Sequence, residues 1–323
     1  MVSARTRRHW WAHVETCRPY TLAYPGLAGL AGAALGGHPA PAQWMTAWLA
    51  PTLVWAAGLY LGDYLDRELD AGSKPHRPIP SGRLRPGTAV AVGAGCVAVA
   101  LAVTALVQAW AVAVAVLGAV GVVVYSKVLK PRGIFGNLAR GLLTGLVLLF
   151  AATVVDGHPV ALAWAWACVF LVQDTASNLV GTVRDTAGDR AGGYRTLPVV
   201  IGARAASWCA AALFAAAMAA AVALAVIGGL GAVGGGLVLA AVCLGLAGYR
   251  VLLGGDPADP RRALRTHEIL IAERLVLAAA VASGGLGAPV AVVILVAALA
   301  ISLSTQALLR RRHEFGDIPV RSA

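Results

Sequence analysis

Charge is scarce in this chain. Asp, Glu, Lys and Arg make up 13% of its 323 residues, against about 25% in a soluble globular domain. No polar stretch is long enough to fold as a separate water-soluble unit, which excludes a soluble enzyme. Cysteine is also sparse: Cys17, Cys96, Cys168, Cys209 and Cys243 show no C-x-x-C spacing. A thiolate metal site is thereby excluded, and the five read as small buried hydrophobes. The N-terminus, with Arg5, Arg7, Arg8, His9, Trp10 and Trp11, lacks a small-residue cleavage site after a short apolar core, so it is no secretory signal peptide. Residues 1–19 read instead as a cytoplasmic interfacial segment with an aromatic anchor.

What the chain has is oil. Hydrophobic residues account for 59% of it and mean hydropathy is +0.75. Runs long enough to cross a hydrocarbon core of roughly 30 Å recur throughout. The expected spans are 20–37, 43–62, 87–107, 109–125, 137–155, 159–180, 204–227, 230–253, 268–285 and 287–309. This predicts an all-α, polytopic membrane protein of nine to ten transmembrane helices, with 1–323 as one membrane-embedded domain. The span in doubt is 268–285, because Glu268, Glu273 and Arg274 fall in its first half.

Lys and Arg collect in alternate loops, in "RTRRHWW", residues 63–86, "SKVLKPR", "RDTAGDRAGGYR", "DPADPRRALRTH" and "RRRHEF", whereas "GGHPAPAQ", "VDGHP", "IGGLGA" and "SGGLGAP" hold none. By the positive-inside rule both termini face the cytoplasm, and the expected location is the plasma membrane of a prokaryote. The net charge of +11 is then largely a cytoplasmic rim beside the lipid bilayer. No nucleic-acid motif accompanies it, and no obligate protein partner is evident.

Against this background the stretch "GDYLDRELDAGSKPHRPIP", at the end of the second span, is conspicuous. Asp63, Asp66 and Asp70 fall at i, i+3 and i+7, which places three carboxylates on one helical face. Uncompensated they repel, and a hard divalent cation such as Mg²⁺ removes the conflict while leaving positions for phosphate oxygens. A second cluster, Asn178, Asp185 and Asp189 at i, i+7 and i+11, repeats the arrangement at the end of the sixth span. Lys74 and Arg77 follow the first cluster, Arg190 and Arg195 the second, and Lys127 and Lys130 lie on the same side. Carboxylates, metal and cations together suit a diphosphate, and at a membrane surface a diphosphate with a greasy tail. An ion-pair network that merely pins loops is the structural alternative. Asp174, four residues before Asn178, continues that face into the membrane, where it could orient or deprotonate an acceptor hydroxyl, steady a carbocation, or hydrogen-bond a neighbouring helix with Gln173. Tyr125 ends the fourth span as a diphosphate donor or an interfacial anchor.

"GDYLDRELDAGSKPHRPIPSG", Asn178 with Asp185 and Asp189, "GYRTLPVVIG" and "YSKVLKPRGIFGN" resemble the motifs of the UbiA superfamily of intramembrane prenyltransferases. The resemblance implies helices around a central cavity, a cytoplasmic cap of loops carrying both aspartate motifs, and a lateral opening to lipid. It also implies Mg²⁺-dependent transfer of a prenyl group from a polyprenyl diphosphate to an aromatic or other lipophilic acceptor. Asp63, Asp66, Asp70, Asn178, Asp185 and Asp189 would serve as metal ligands, and 63–86 and 174–203 as the two Asp-rich regions. Arg18-Pro19 is similar to the family's R-P entry, where relatives using aromatic carboxylates place a basic group. Gly62 stands where the family usually has asparagine, either as a missing ligand or as a place where only glycine fits. Asn178 stands where many relatives have aspartate. A terpene cyclase of the same superfamily, and a transporter or lipid-binding protein, are the alternatives.

Overall fold

The computed structural model describes residues 4–256 and 258–316. Residues 1–3, 257 and 317–323, which the expectations for a 1–323 domain and for the side of the termini include, lie outside the described residues. Helices fill the chain: α1 (Ala4–Cys17), α2 (Pro19–Ala34), α3 (Pro41–Leu65), α4 (Arg67–Ser73), α5 (Pro86–Val107), α6 (Ala111–Val124), α7 (Phe135–Asp156), α8 (Ala161–Ala191), α9 (Leu197–Ile201), α10 (Ala203–Ile227), α11 (Gly231–Leu253), α12 (Pro260–Leu286), α13 (Ala288–Thr305) and α14 (Arg311–Phe315). Two π-helical turns, Tyr125–Leu129 and Gln306–Arg310, extend α6 and α13.

The boundaries follow local chemistry. Proline opens α2, α3, α5 and α12, where its missing N–H costs nothing. The Asp259 side chain accepts from the Arg261 backbone N–H at 2.9 Å and caps α12.

Successive long helices touch in the order α2, α3, α5, α6, α7, α8, α10, α11, α12, α13, and α13 returns to α2. Within the ring α2 also packs on α7 and α12, and α2, α3, α6, α7, α8 and α12 surround a central cavity, as the resemblance implied. Backbones meet closely inside it: a Cβ on Gly29 would lie 1.8 Å from the Ala47 carbonyl oxygen, and one on Gly141 2.2 Å from that of Leu171. Such small-residue contacts suit helix packing in lipid, where burying apolar surface gives no advantage.

Among the described residues eight helices are long and apolar enough to cross a membrane. The chain is an integral, multi-pass membrane protein. In α8, 31 residues span about 46 Å at 1.5 Å each, more than the hydrocarbon core, so its last turns project beyond. The doubtful span 268–285 is the most interior one, inside α12. Glu273 and Arg274 are buried there and each has a partner on α8: Gln173 donates to Glu273, and Arg274 pairs with Asp174.

The reading of all five cysteines as buried is corrected. Cys168, Cys209 and Cys243 are exposed on helix faces, and Cys17 and Cys96 are half-buried. Lipid is apolar enough for a thiol, so an outward position carries no penalty.

Above the ring lie α1, α4, the 74–85 loop and α9. Two residue pairs stitch two of its loops: β1 (Arg132–Gly133) runs parallel to β2 (Arg195–Thr196), with Arg132 opposite Arg195 and Gly133 opposite Thr196. A two-residue ladder leaves no sequence pattern, and the fold remains all-α.

Candidate active site

The end of α3 delivers the first acidic cluster. Asp63 lies in its last turn and Asp66 caps it. Backbone bonds run on through the junction with α4: Asp66 N–H donates to Gly62 O at 2.8 Å, Asp70 N–H to Asp66 O at 2.8 Å, and Lys74 N–H to Asp70 O at 2.7 Å. Helical spacing is thereby kept from 63 to 70. The projecting end of α8 carries Asn178, Asp185 and Asp189.

Asp63, Asp66, Asn178, Asp185 and Asp189 all line one cavity of about 330 Å³. Its other end is apolar, walled by Val54, Val114, Leu143, Leu146, Val147 and Phe150. A ligand filling it would be charged at one end and hydrocarbon at the other.

Each aspartate meets a donor. Lys130 donates to Asp66 and Arg18 to Asp63. Arg77 lies 2.7 Å from Asp70, Lys74 3.2 Å from Asp185, and Arg184 2.7 Å from Asp185. The Thr196 hydroxyl, set by the short ladder, donates to Asp189 at 3.1 Å. Burial works against charge on Lys130, but Asp66 more than offsets it and holds the ammonium above the usual lysine range. Arg77 behaves likewise: burial opposes its charge, and Asp70, Glu314 and Asp63 hold it above its ordinary value. Both cations persist at neutral pH.

Other expected residues are dispersed. Tyr125 lines the cavity. Asp70 and Lys74 stand outside the lining, joined to it through Arg77 and Asp185. Lys127, Arg190 and Arg195 are exposed and do not line it. A direct role for Asp174 on an acceptor is corrected. Its carboxylate is fully buried behind the wall, takes the Thr144 hydroxyl at 2.7 Å and pairs with Arg274. It holds a cation that lines the cavity rather than lining it itself. Asn178 faces the cavity, and its side-chain oxygen accepts from Asn137 at 2.9 Å.

Sequence reasoning missed several residues. Arg184 sits beside Asp185, a neighbour the i, i+7, i+11 spacing passed over. Glu314, the lone acid in "RRRHEF", lies 2.9 Å from Lys74 and 3.1 Å from Arg184. Arg140 stacks on Trp55 with its guanidinium carbon 3.6 Å from the ring centroid. Arg310 is buried, lines the cavity, bonds His267 and lies 3.1 Å from Gln306. It has no carboxylate within 4 Å among the described residues.

Among the described residues, no three His, Cys, Asp or Glu side chains converge closely enough to hold an ion. Four of the six expected ligands instead lean on Lys or Arg. The donor set still suits a hard cation: the ligand atoms are oxygens, five of the six residues line one cavity, and Asp63 Oδ2 is buried without a hydrogen-bond partner among the described residues.

A ring of membrane helices enclosing a half-charged, half-apolar cavity defines the class of intramembrane enzymes that work on amphipathic lipids. Residues 22–271 match the UbiA prenyltransferase family. The chain belongs to that family and is a prenyltransferase. It is 32% identical over 265 residues to the digeranylgeranylglyceryl phosphate synthase of Natronomonas pharaonis, covering 82% of this chain and 95% of that one. The Halobacterium salinarum synthase of the same name is 33% identical over 269 residues, with 82% and 95% covered. The fold is shared with an apo UbiA homologue from Aeropyrum pernix K1 (TM-score 0.67, 19% identity, 81% of this chain and 96% of that one). A UbiA homologue from Archaeoglobus fulgidus bound to DMAPP and Mg²⁺ has it too (TM-score 0.58, 15% identity, 92% and 99%).

Proposed function

We propose that this enzyme transfers a prenyl group from a prenyl diphosphate to a phosphate-bearing lipid acceptor. The observation that carries the acceptor class is Arg310, a buried cation lining the cavity with no carboxylate partner among the described residues. A lone buried charge is costly, and an anionic group on the acceptor supplies the missing partner. Relatives that share about a third of their residues with this chain make digeranylgeranylglyceryl phosphate, which fits an acceptor carrying phosphate better than the aromatic one first considered.

In this reading the whole chain works as one domain, with both Asp-rich regions on the cytoplasmic side, a placement supported by the Lys and Arg bias of the loops. The donor's tail lies along Val114, Leu143, Leu146 and Phe150, and its diphosphate sits at the charged end near Lys130, Arg77 and Arg184. The allylic C–O bond breaks and its electron pair leaves on the diphosphate, whose growing charge these cations stabilise. An acceptor hydroxyl oxygen then bonds the allylic carbon and loses its proton, in a chamber whose apolar wall keeps water out. Asp63, Asp66, Asn178, Asp185 and Asp189, with Asp70 behind them, would hold Mg²⁺, which when bound neutralises charge on the departing diphosphate. Arg274, oriented by Asp174, Arg140 and Arg310 also line the cavity, and in this reading they face the acceptor.

Gly62 refines the metal reading. A Cβ there meets nothing within 4 Å, so close packing does not require glycine. Gly62→Asn adds a carboxamide oxygen at the cavity wall. It is expected to lower the Mg²⁺ concentration for half-maximal activity, and for half-maximal thermal stabilisation, about tenfold, or roughly 1.4 kcal/mol. An unchanged Mg²⁺ requirement in a folded variant would point to Asp63 or water already filling that position.

The acceptor class is tested by incubating purified protein with geranylgeranyl diphosphate, Mg²⁺ and two matched lipids, one with a glycerol phosphate headgroup and one with its dephosphorylated form. The phosphate lipid should be prenylated at least tenfold faster. Equal rates would overturn the anionic acceptor and leave prenyl transfer standing.

A further inference from the structure

The segment after α13 lies beyond the family match, which ends at residue 271, yet it enters the site. The π turn Gln306–Arg310 widens the helix where it meets the cap, a feature frequent at functional sites. It is followed by α14, whose His313 is tied down from two directions. His313 Nε2 accepts from Arg18 Nε at 3.0 Å, and its backbone oxygen lies 3.0 Å from His76 Nε2. The next residue, Glu314, is buried to 8% exposure and lines the cavity.

Its carboxylate bridges three cations from two parts of the fold, Lys74 and Arg77 of the loop after α4 and Arg184 of α8. Oε2 lies 2.9 Å from Lys74 and 3.7 Å from Arg77, and Oε1 lies 3.1 Å from Arg184. Each of the three also pairs with an aspartate of the acidic clusters, Lys74 and Arg184 with Asp185 and Arg77 with Asp70. Glu314 therefore competes with those aspartates for the cations. Among the described residues Glu314 is the one other carboxylate paired with Lys74 and Arg184, and without it both can close on Asp185, a carboxylate that the metal needs.

We propose that Glu314 is a positioning residue of the diphosphate site: it holds Arg77 and Arg184 at the cavity wall, where they meet diphosphate oxygens, with Lys74 behind them, and keeps Asp185 and Asp70 from being sealed by these cations. This rests on the prenyl diphosphate reading above. It makes an unusual prediction about sign. Removing a negative charge from an anion site strengthens anion binding by simple Coulomb attraction, whereas loss of a positioning carboxylate weakens it.

The test is calorimetric titration of inorganic diphosphate into purified protein, with and without Mg²⁺, alongside donor KM and thermal melting. Glu314→Gln is expected to weaken diphosphate binding and raise donor KM about tenfold, with its melting temperature close to that of the unaltered protein. Glu314→Asp, one methylene short, is expected to weaken binding about threefold. Unchanged or tighter binding in Glu314→Gln overturns the proposal. So does a lowered melting temperature with binding unchanged, which would make Glu314 only an anchor for the segment. If Glu314→Gln does not fold, Glu314→Asp decides: a constant equal to that of the unaltered protein overturns the proposal. Failure of the unaltered protein to bind diphosphate at all would instead overturn the donor reading.

Discussion

Turnover is expected to fall about 1000-fold when Asp185 or Asp66 is replaced by alanine, in a protein that still inserts and folds. The two aspartates face one cavity from different helices, Asp66 at the end of α3 and Asp185 on the projecting end of α8. In the proposed function each helps to hold a cation against the departing diphosphate. Losing one such electrostatic contact to a transition state costs on the order of 100- to 1000-fold, roughly 3–4 kcal/mol. Asp185→Ala also frees Lys74 and Arg184, which Glu314 still partners, so unfolding should not be the cause. Steady-state diphosphate release, with detergent-solubilised protein checked by size exclusion, reads the loss. Retention of more than a tenth of the activity in a folded variant would reduce the acidic clusters to an ion-pair network that pins loops.

The second large effect is expected at Arg310. Removing one partner of a buried, hydrogen-bonded charge pair costs about 2–5 kcal/mol. Arg310→Met should therefore lower kcat/KM for a phosphate-bearing acceptor about 100-fold, with KM for the prenyl diphosphate changing less than threefold. Stability should move the other way. Among the described residues Arg310 has no carboxylate within ion-pair reach, and its Nε is buried without a hydrogen-bond partner, so an apolar replacement removes a cost. A melting temperature equal to or above that of the unaltered protein, with acceptor use lost, separates a binding role from a structural one. Equal acceptor use in a folded Arg310→Met variant would remove the anionic-acceptor reading.

The acidic clusters were legible in the sequence because helical spacing alone places Asp63, Asp66 and Asp70 on one face, and backbone hydrogen bonds carry that spacing across the junction at Asp66. The ring of spans was legible because a bilayer demands long apolar helices. Which face of a span looks inward was less so. Asp174 continues the Asn178 face along α8, yet Arg274 arrives from α12 to cover it. Only the neighbouring helix decides that. The same pairing turned Glu273 and Arg274, which cast doubt on 268–285, into the interior of the most buried span. Arg310 and Glu314 were hidden because a π turn resets the direction of every side chain after Gln306, and a basic C-terminal run reads first as topology. The Thr196 hydroxyl bond to Asp189 depends on a two-residue ladder too short to leave any alternation.

The central claim, that this cavity transfers a prenyl group between two molecules, is tested most directly by mass balance. Purified protein is given geranylgeranyl diphosphate and Mg²⁺ with or without a glycerol-phosphate lipid acceptor, and diphosphate release is measured beside products identified by mass spectrometry. One prenylated acceptor per diphosphate released is expected, with only slow release when the acceptor is left out. Rapid release without acceptor, with cyclic hydrocarbon as the product, would contradict the central claim and make the enzyme a cyclase.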